Sequence, residues 1–227
     1  MTAGRVVVVA GAAGAAGPAV CQALADAGAV VIACGRDADR LAAVAGPAER
    51  HAVDLLDDAA TARFAASVAE RHGRVDGLVH LVGGWRGGTP FTAEDPADWT
   101  WLSDRIVRTL QHTTRAFHPH LTASDAGRLA IVSAAEATRP TANNAHYAAA
   151  KAAAEAWTLA VAQSWTGGPA AASILVVRGL LTDAMRAARP DAKFTSLTHV
   201  DAVAGRIASL WSEPAADLNG ARLWLTP

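Results

Sequence analysis

Short apolar runs alternate with longer mixed segments along the whole chain. Residues 5–10 form a short run that is apolar and mostly β-branched after Arg5, of the kind found in strands that are buried on both faces. Similar runs predict further strands over 29–34, 50–53, 77–82, 128–133, 172–177 and 221–225. The segments between them predict helices over 18–27, 37–44, 59–72, 99–121, 145–165 and 201–211.

Residues that start and stop helices agree with this alternation. Pro18 is tolerated in a first helical turn, and Gly28 and Gly73 stand where helices are expected to stop. Asp37 and Asp201 are expected at or near the N-caps of their helices.

Alternating strands and helices predict an α/β fold whose parallel sheet is covered on both faces. We expect one doubly wound domain over residues 1–227 with seven parallel strands, because no linker or repeat interrupts the pattern. Residues 179–197 show no regular pattern, and we predict that they form an irregular, mobile lid over a substrate.

Composition narrows the classes of partner. The formal net charge is −1, which gives no electrostatic basis for binding nucleic acid or an anionic membrane. No run reaches the ~18 apolar residues of a membrane span, and no signal peptide is evident, so we expect a cytoplasmic protein. Cys21 and Cys34 are too few for a disulfide framework, and we expect no metal site.

A glycine-rich turn follows the first predicted strand and opens the first predicted helix. In that context glycines let the backbone approach a pyrophosphate, and the helix N-terminus contributes amides and partial positive charge. This predicts a dinucleotide-binding Rossmann fold, although a tight turn without a ligand is the alternative. The expected contact positions are Gly11, Ala13, Gly14, Ala16 and Gly17.

The end of the second strand bears on the choice of dinucleotide. NAD-specific proteins usually place an acidic residue there, but this chain has Gly35 followed by Arg36. A guanidinium suits a 2′-phosphate, so NADP(H) is favoured over NAD(H), although Asp37 could still serve NAD. Asp54, after the third strand, is expected to accept from the adenine amino group or to cap the next helix.

Tyr147 and Lys151 are the candidate catalytic pair. Their i, i+4 spacing puts both on one helix face, where an ammonium is expected to lower the tyrosine pKa towards the working pH. The same lysine can hydrogen-bond the nicotinamide ribose. On spacing alone a chance pair would be the better interpretation, but the glycine turn and strand order favour a catalytic one.

These motifs together resemble the short-chain dehydrogenase/reductase family over essentially the whole chain. The resemblance implies a tyrosine general acid/base, a supporting lysine, a small-molecule substrate, and a homodimer or homotetramer. It also implies further cofactor contacts at Leu55, Val82, Gly83, Gly84, Gly179 and Leu181.

The chain departs from the family pattern at several positions. Ala134 stands at the position of the catalytic serine, with Ser133 adjacent and expected to face the other side of its strand. Ile106 stands near the family's helical asparagine, and Ala15 replaces a glycine of the turn. His80, in place of a strand-end asparagine, is predicted to be a hydrogen-bonded core histidine.

The dihydropteridine reductase branch is similar to this chain around residues 82–88, in the Trp101 helix and over 182–194. That branch reduces a quinonoid C=N system with NADH and needs no serine to polarise a carbonyl. Arg36 departs from it at the cofactor strand. We expect Trp85 and His146 to contact the substrate.

Three hypotheses follow from this pattern. The first is an NAD(P)H-dependent reductase of a C=N or conjugated, aromatic-like substrate, which uses Tyr147 and Lys151. The second is an ordinary carbonyl reductase in which a strand bulge brings Ser133 into the catalytic place. The third is a cofactor-binding protein without redox turnover, such as a cyclase, an isomerase or a regulator.

Overall fold

Seven parallel strands form a single sheet in the computed structural model, which describes residues 2–225. The predicted range 1–227 thus includes Met1, Thr226 and Pro227, which lie outside the described residues. The sheet strands are β1 (Val6–Ala10), β2 (Val30–Gly35), β3 (Glu49–Ala52), β4 (Gly77–His80), β5 (Arg128–Ala134), β6 (Ala171–Val177) and, last in the chain, β9 (Arg222–Trp224).

The strand order is β3-β2-β1-β4-β5-β6-β9, and every neighbouring pair is parallel. This confirms the predicted doubly wound, seven-stranded α/β fold. The order reverses between β1 and β4, because the chain runs outward from β1 in one direction and from β4 in the other. A crevice outside the carboxyl ends of these strands is the expected ligand site of such a sheet.

Nine α-helices lie between or beside the strands in the described part of the chain. They are α1 (Gly17–Asp26), α2 (Ala38–Ala42), α3 (Asp58–His72), α4 (Pro96–Leu102), α5 (Thr109–Ala123), α6 (Ala145–Ser164), α7 (Asp183–Ala188), α8 (Val200–Ser209) and α9 (Ala215–Leu218). The single helix predicted over 99–121 is wrong in detail, because a π-helical turn, Ser103–Arg108, joins α4 to α5.

Two hydrophobic cores occupy the two faces of the sheet. Alternate residues of β1 point to opposite faces, so Val6 and Val8 pack against α3, α5 and α6, whereas Val7 and Val9 pack against α1 and α8. Cys21 and Cys34 are buried free thiols in these cores, as a small apolar residue would be.

Most predicted helices begin and end near the predicted residues, and the cap of α3 differs from the predicted one. Asp37 caps α2 by accepting from the Arg40 amide at 3.0 Å, and Gly73 ends α3 in the left-handed region. The cap of α3 is Asp57 rather than Asp54, because a turn separates β3 from the helix and Asp54 accepts from Leu56 within it. His199 caps α8, and Asp201, predicted near this cap, is the second residue of the helix.

The predicted irregular segment 179–197 contains regular structure. Two short parallel strands, β7 (Leu180–Leu181) and β8 (Thr198–His199), pair with each other and bracket α7. Thr182 caps α7, and the residues of that helix are exposed. The segment therefore forms a small unit of two short strands and one helix beside the main sheet. No helix among residues 2–225 combines the length and apolar character needed to cross a bilayer.

Gly17 begins α1 where the helix presses against the preceding turn. A Cβ there would lie 2.0 Å from the Ala12 carbonyl oxygen, so Gly17→Ala should lower the free energy of unfolding by about 1–3 kcal/mol. Gly205 is the matched control, because it lies inside α8 with nothing within 4 Å of an added Cβ. Gly205→Ala should be stabilising by about 0.5–1 kcal/mol. Urea unfolding without cofactor measures both; equal effects would contradict this packing.

Candidate active site

A cavity of about 680 Å³ opens at the carboxyl ends of the central strands. This volume is within the range of small-molecule and cofactor sites. Its walls come from the turns after β1, β2, β3, β4, β5 and β6, and from α6. Of the predicted site residues, the following line it: Gly11, Ala13, Gly14, Ala16, Arg36, Asp54, Leu55, Val82, Gly83, Gly84, Trp85, Ser133, Tyr147, Lys151 and Gly179.

The glycine-rich turn supplies one wall through its backbone. Gly11 has φ +81°, a left-handed conformation, and its amide donates to the Cys34 carbonyl at 2.9 Å. A Cβ at Gly11 would lie 2.9 Å from the Val82 amide nitrogen, so only glycine lets these two turns approach so closely. Ala16, the N-cap residue of α1, has no side chain that caps the helix amides. This leaves a helix N-terminus suited to an anion.

Two arginines line the cavity beyond the end of β2. Arg36 is exposed, and Arg40 reaches back so that its Nη2 donates to the Ala13 carbonyl at 2.7 Å. Asp37, between them, is used as the cap of α2. Two guanidinium groups and a carboxylate engaged by a backbone amide make this end of the cavity favourable for a phosphate.

Tyr147 and Lys151 lie in the first two turns of α6 and both line the cavity. The Lys151 ammonium donates to the Val132 carbonyl in β5 at 2.8 Å and is almost fully buried. It lies 5.8 Å from the centre of the Tyr147 ring. The pair therefore shares one face of the helix, and that face looks into the cavity.

Comparison with known proteins adds an independent line of evidence. The family model described as short chain dehydrogenase matches residues 5–192, most of the chain. This chain belongs to the short-chain dehydrogenase family. A protein of Haemophilus influenzae described as a "probable NADP-dependent dehydrogenase" is 32% identical over 149 residues, which span 64% of this chain and 59% of that protein.

A short chain dehydrogenase of Pseudocercospora fijiensis is also 32% identical, over 158 residues that span 66% of this chain and 51% of that protein. The chain thus covers little more than half the length of these relatives. Among solved structures, a short chain dehydrogenase of Escherichia coli CFT073 complexed with NADPH has a TM-score of 0.87 at 24% identity, covering 99% of this chain and 98% of that one. An NAD⁺-bound xylitol dehydrogenase has a TM-score of 0.85 at 17% identity, with the same coverages.

Ser133 lies beside the position where the short-chain dehydrogenase pattern has its serine. The register between β5 and β6 runs without interruption through Ser133 and Ala134, so the bulge required by the carbonyl-reductase alternative is absent. The Ser133 hydroxyl donates to Glu155 Oε1 at 2.5 Å and is buried. Glu155 also contacts Arg222 at 2.7 Å. Ser133 is therefore engaged in a structural contact, and Ala134 offers no hydroxyl.

The predicted lowering of the Tyr147 pKa by Lys151 is wrong for this structure. Burial raises the pKa of Tyr147 above its ordinary value, and the carboxylate of Glu136 raises it further. Burial lowers the pKa of Lys151 to about 8, although the charges of Glu155 and Glu136 oppose that fall. The lysine interacts with a carbonyl oxygen and not with the phenol oxygen. Desolvation and the Glu136 anion therefore determine the direction of the Tyr147 pKa shift.

Three predicted site residues are not among those that line the cavity. Gly17 is buried against Ala12, so its role is packing. Leu181 is buried in β7, where it pairs with His199. His146 is turned towards Glu94, with 3.5 Å between Nδ1 and Oε2, because Glu94 also accepts from the first amide of α6.

His80 matches the prediction of a core histidine. Its Nε2 lies 3.2 Å from the Thr109 hydroxyl and its Nδ1 lies 3.1 Å from the Thr113 hydroxyl. Burial lowers the pKa of His80 to about 3, and the charge of Lys151 acts in the same direction. The ring is therefore neutral at physiological pH and serves the packing of β4 against α5.

Sequence reasoning missed several cavity residues, notably Arg40, Arg105, Glu136 and Arg178. Arg105 comes from the π-helical turn, a form of helix that is often found at functional sites. Its guanidinium and that of Arg86 lie 4.2 and 4.3 Å from the centre of the Trp101 ring, on which both stack. A charged residue in the turn directly after β5 was the available signal for Glu136, since loops after strand ends form such sites.

The tyrosine pKa can be measured directly, because Tyr147 is the only tyrosine in the chain. In a pH-jump absorbance titration, read before alkaline unfolding, the native tyrosinate should appear at higher pH than in the urea-unfolded chain, which titrates near ~10. Glu136→Gln should lower the native midpoint, because it removes the anion that favours the protonated phenol. Glu70→Gln, an exposed change in α3, is the control. A native midpoint at or below the unfolded one would contradict this electrostatic account.

Proposed function

We propose that the protein is an NADP(H)-dependent reductase that acts on a C=N bond or a conjugated, quinonoid small molecule, with Tyr147 as proton donor. One observation carries the proposal. Tyr147 and Lys151 open together onto the dinucleotide-sized cavity, while the position of the family's serine is Ala134. The proposal thus keeps the proton-transfer pair of the family and removes its carbonyl-polarising hydroxyl.

The cavity suits a dinucleotide on structural grounds. A close-packed glycine turn, an uncapped helix N-terminus and a lining free of bulky side chains from Gly11 to Ala16 leave room for a pyrophosphate. Asp54 and Leu55 would hold the adenine end, and Val82, Gly83, Gly84, Lys151 and Gly179 the nicotinamide end. When bound, the cofactor supplies a hydride.

NADP(H) is the proposed dinucleotide, because Arg36 and Arg40 line the cavity where a 2′-phosphate would be expected. Each guanidinium can donate to phosphate oxygens through a fixed fork of N–H groups. The H. influenzae relative described as NADP-dependent and the NADPH complex of the E. coli structure agree with this choice. The NAD⁺-bound xylitol dehydrogenase shows that the same fold also accepts NAD.

Tyr147 is suited to donate a proton. Burial and the charge of Glu136 raise the pKa of Tyr147, so the phenol carries its proton through the physiological range, as a proton donor must. Lys151 is held by the Val132 carbonyl, and its ammonium is expected to orient the cofactor ribose and the tyrosine. These roles belong to side chains that already line the cavity.

The missing hydroxyl favours C=N over C=O as the reduced bond. A positioned donor that stabilises developing negative charge on a carbonyl oxygen is worth about 10²–10³ in rate, and Ala134 cannot supply it. A basic imine nitrogen accepts a full proton from a single donor and needs no second one. The resemblance to dihydropteridine reductases over residues 82–88 and 182–194 agrees with a conjugated C=N substrate.

Trp85 and the segment 179–197 would enclose that substrate. Trp85 is 62% exposed at the cavity wall, which leaves its indole free to stack on a flat ring. The exposed α7 lies in the chain directly after the cavity residues Gly179 and Leu180, so we propose that it acts as a lid. A homodimer or homotetramer is proposed from the family resemblance alone.

Replacing the phenol tests the reaction. With a neutral cyclic imine of the dihydroisoquinoline type as substrate, Tyr147→Phe should lower the rate of NADPH oxidation at least ~10²-fold. A positioned general acid contributes that much to the rate. Ser133→Ala is the matched control and should retain activity, since its hydroxyl is committed to Glu155. Steady-state absorbance of NADPH over imines, quinonoid pterins and ketones provides the measurement.

The outcomes separate the three hypotheses. Imine or quinonoid turnover that depends on Tyr147 supports the reductase. A large loss with Ser133→Ala and a preference for ketones would support the carbonyl reductase instead. NADPH binding without oxidation of any substrate would favour a protein that does not perform redox turnover.

The arginine pair provides a test of cofactor choice. Arg36→Ala should weaken NADPH binding by about 10–100-fold, because a charge-assisted hydrogen bond to phosphate is lost. NADH binding should change little, since that cofactor has no 2′-phosphate. Isothermal titration of both cofactors measures the effect, with Arg63→Ala, an exposed change in α3, as the control. Equal losses for NADPH and NADH would remove Arg36 from the proposed phosphate site.

A further inference from the structure

The turn that follows β5 brings a carboxylate into the reacting part of the cavity. Glu136 lies in a short 3₁₀ turn, Ala135–Ala137, and lines the cavity together with Tyr147 and Lys151. Its charge acts on both of these side chains, since it raises the pKa of each. Glu136 is therefore close enough to influence a group that receives a proton from Tyr147.

The Glu136 carboxylate differs from the other acids in the cavity wall. Its Oε2 is buried and has no hydrogen-bond partner among residues 2–225. Asp37 accepts from the Arg40 amide, and Asp54 accepts from the Leu56 amide, so both serve the fold. A buried carboxylate oxygen without a donor is unfavourable, and such a group in a native cavity requires a partner, either water or a ligand.

Lys151, the cation whose charge interacts with Glu136, does not satisfy this oxygen. The Lys151 ammonium is directed to the Val132 carbonyl at 2.8 Å. The Arg86 and Arg105 guanidinium groups stack on Trp101. The cavity therefore has arginines at the end of β2 and, in the part lined by Tyr147, the Glu136 carboxylate with an oxygen that has no hydrogen-bond partner among the described residues.

We infer that Glu136 binds the positive charge of the substrate, and that the substrate class is an iminium ion or an N-protonated conjugated C=N compound. The inference rests on the proposed reductase function and names its substrate class. A cation that donates N–H to Glu136, or lies against it, would satisfy the orphaned oxygen and gain a charge-assisted contact. A neutral ketone of the same shape would leave that oxygen unpaired, so the site would discriminate against it.

The chemistry of reduction agrees with this recognition. Protonation of the imine nitrogen would make the carbon more electrophilic, and bound NADPH would supply the hydride for the new C–H bond and leave as NADP⁺. The π electrons of C=N become the lone pair of the amine nitrogen, so the positive charge is lost from the substrate. A fixed anion stabilises the cation before hydride transfer. The neutral amine that results binds Glu136 more weakly than the cation does, which favours its release. It is protonated again only after it reaches water.

A permanently charged probe separates cation binding from proton donation. N-methyl-dihydroisoquinolinium carries its charge at any pH and needs no proton, whereas α-tetralone is its neutral carbonyl counterpart. Glu136→Gln keeps the shape of the side chain and removes its charge. We expect kcat/KM for the iminium ion to fall about 10–100-fold, the value of a contact to a charged group, with no such fall for α-tetralone. Glu70→Gln is the control for an equal change of net charge.

A binding measurement decides the inference independently of turnover. Protonated N-methyl-tetrahydroisoquinoline and neutral tetralin are titrated calorimetrically into the enzyme with NADP⁺ bound. The cation should bind the wild-type protein more tightly than tetralin, Glu136→Gln should abolish most of that difference, and Glu136→Asp should restore part of it. Circular dichroism melting verifies that each variant is folded.

Three results would overturn the inference. The first is equal binding of the cation and tetralin to the wild-type protein. The second is a cation preference that survives Glu136→Gln. The third is an effect of Glu136→Gln confined to the ratio of NADP⁺ to NADPH affinity, which would assign the carboxylate to the cofactor. Failure of the reductase proposal has a different signature, namely Glu136-dependent binding of the amine without reduction of any imine.

Discussion

The hydrogen bond from the Lys151 ammonium to the Val132 carbonyl holds the site together. It joins α6 to the end of β5 at 2.8 Å, across an interior in which the ammonium is almost fully buried. Because Tyr147 precedes Lys151 by one helical turn, fixing the lysine also fixes the phenol at the carboxyl edge of the sheet. Parallel strands bring the glycine turn, the turn after β4 and the turn after β5 to that same edge. The sheet thus determines which residues meet, and the lysine determines how the helix faces them.

Charge is divided unevenly within the cavity, and this division sets its chemistry. Arg36 and Arg40 line the part that follows β2, whereas Glu136 lies with the tyrosine and lysine. Burial and the Glu136 anion raise the pKa of Tyr147 and so keep its proton available. Ser133, the nearest hydroxyl to the expected serine position, is tied to Glu155 in the interior. A proton donor without a carbonyl-polarising partner is the physical basis for favouring C=N reduction.

Periodicity and glycine placement were sufficient to predict the fold, because buried parallel strands are short, apolar and β-branched in any sequence. They could not predict the π-helical turn Ser103–Arg108, since one extra residue in a helical turn leaves the apolar spacing nearly unchanged. The cap of α3 was missed because Asp54 and Asp57 are the same residue type, and only the length of the intervening turn separates them.

The sequence predicted which residues line the cavity where backbone position decides, but it did not predict the electrostatics of those residues. Gly11, Arg36, Tyr147 and Lys151 follow from their places after strands or on a helix face. The direction of the Tyr147 pKa does not, because it depends on burial and on Glu136, which the i, i+4 spacing does not report. His146 was predicted from its neighbour in sequence, but successive helical residues point in different directions, and this one faces Glu94.

A crystal structure of the protein with NADPH bound tests the central claim most directly, that the lone phenol and the reactive ring of the dinucleotide share one cavity. The account predicts that the Tyr147 hydroxyl lies roughly 3–4 Å from the nicotinamide ring or its bound substrate, at reaction distance. It also predicts that the Lys151 ammonium contacts the adjoining ribose. A dinucleotide bound with its nicotinamide ring far from Tyr147, or outside this cavity, would contradict the account.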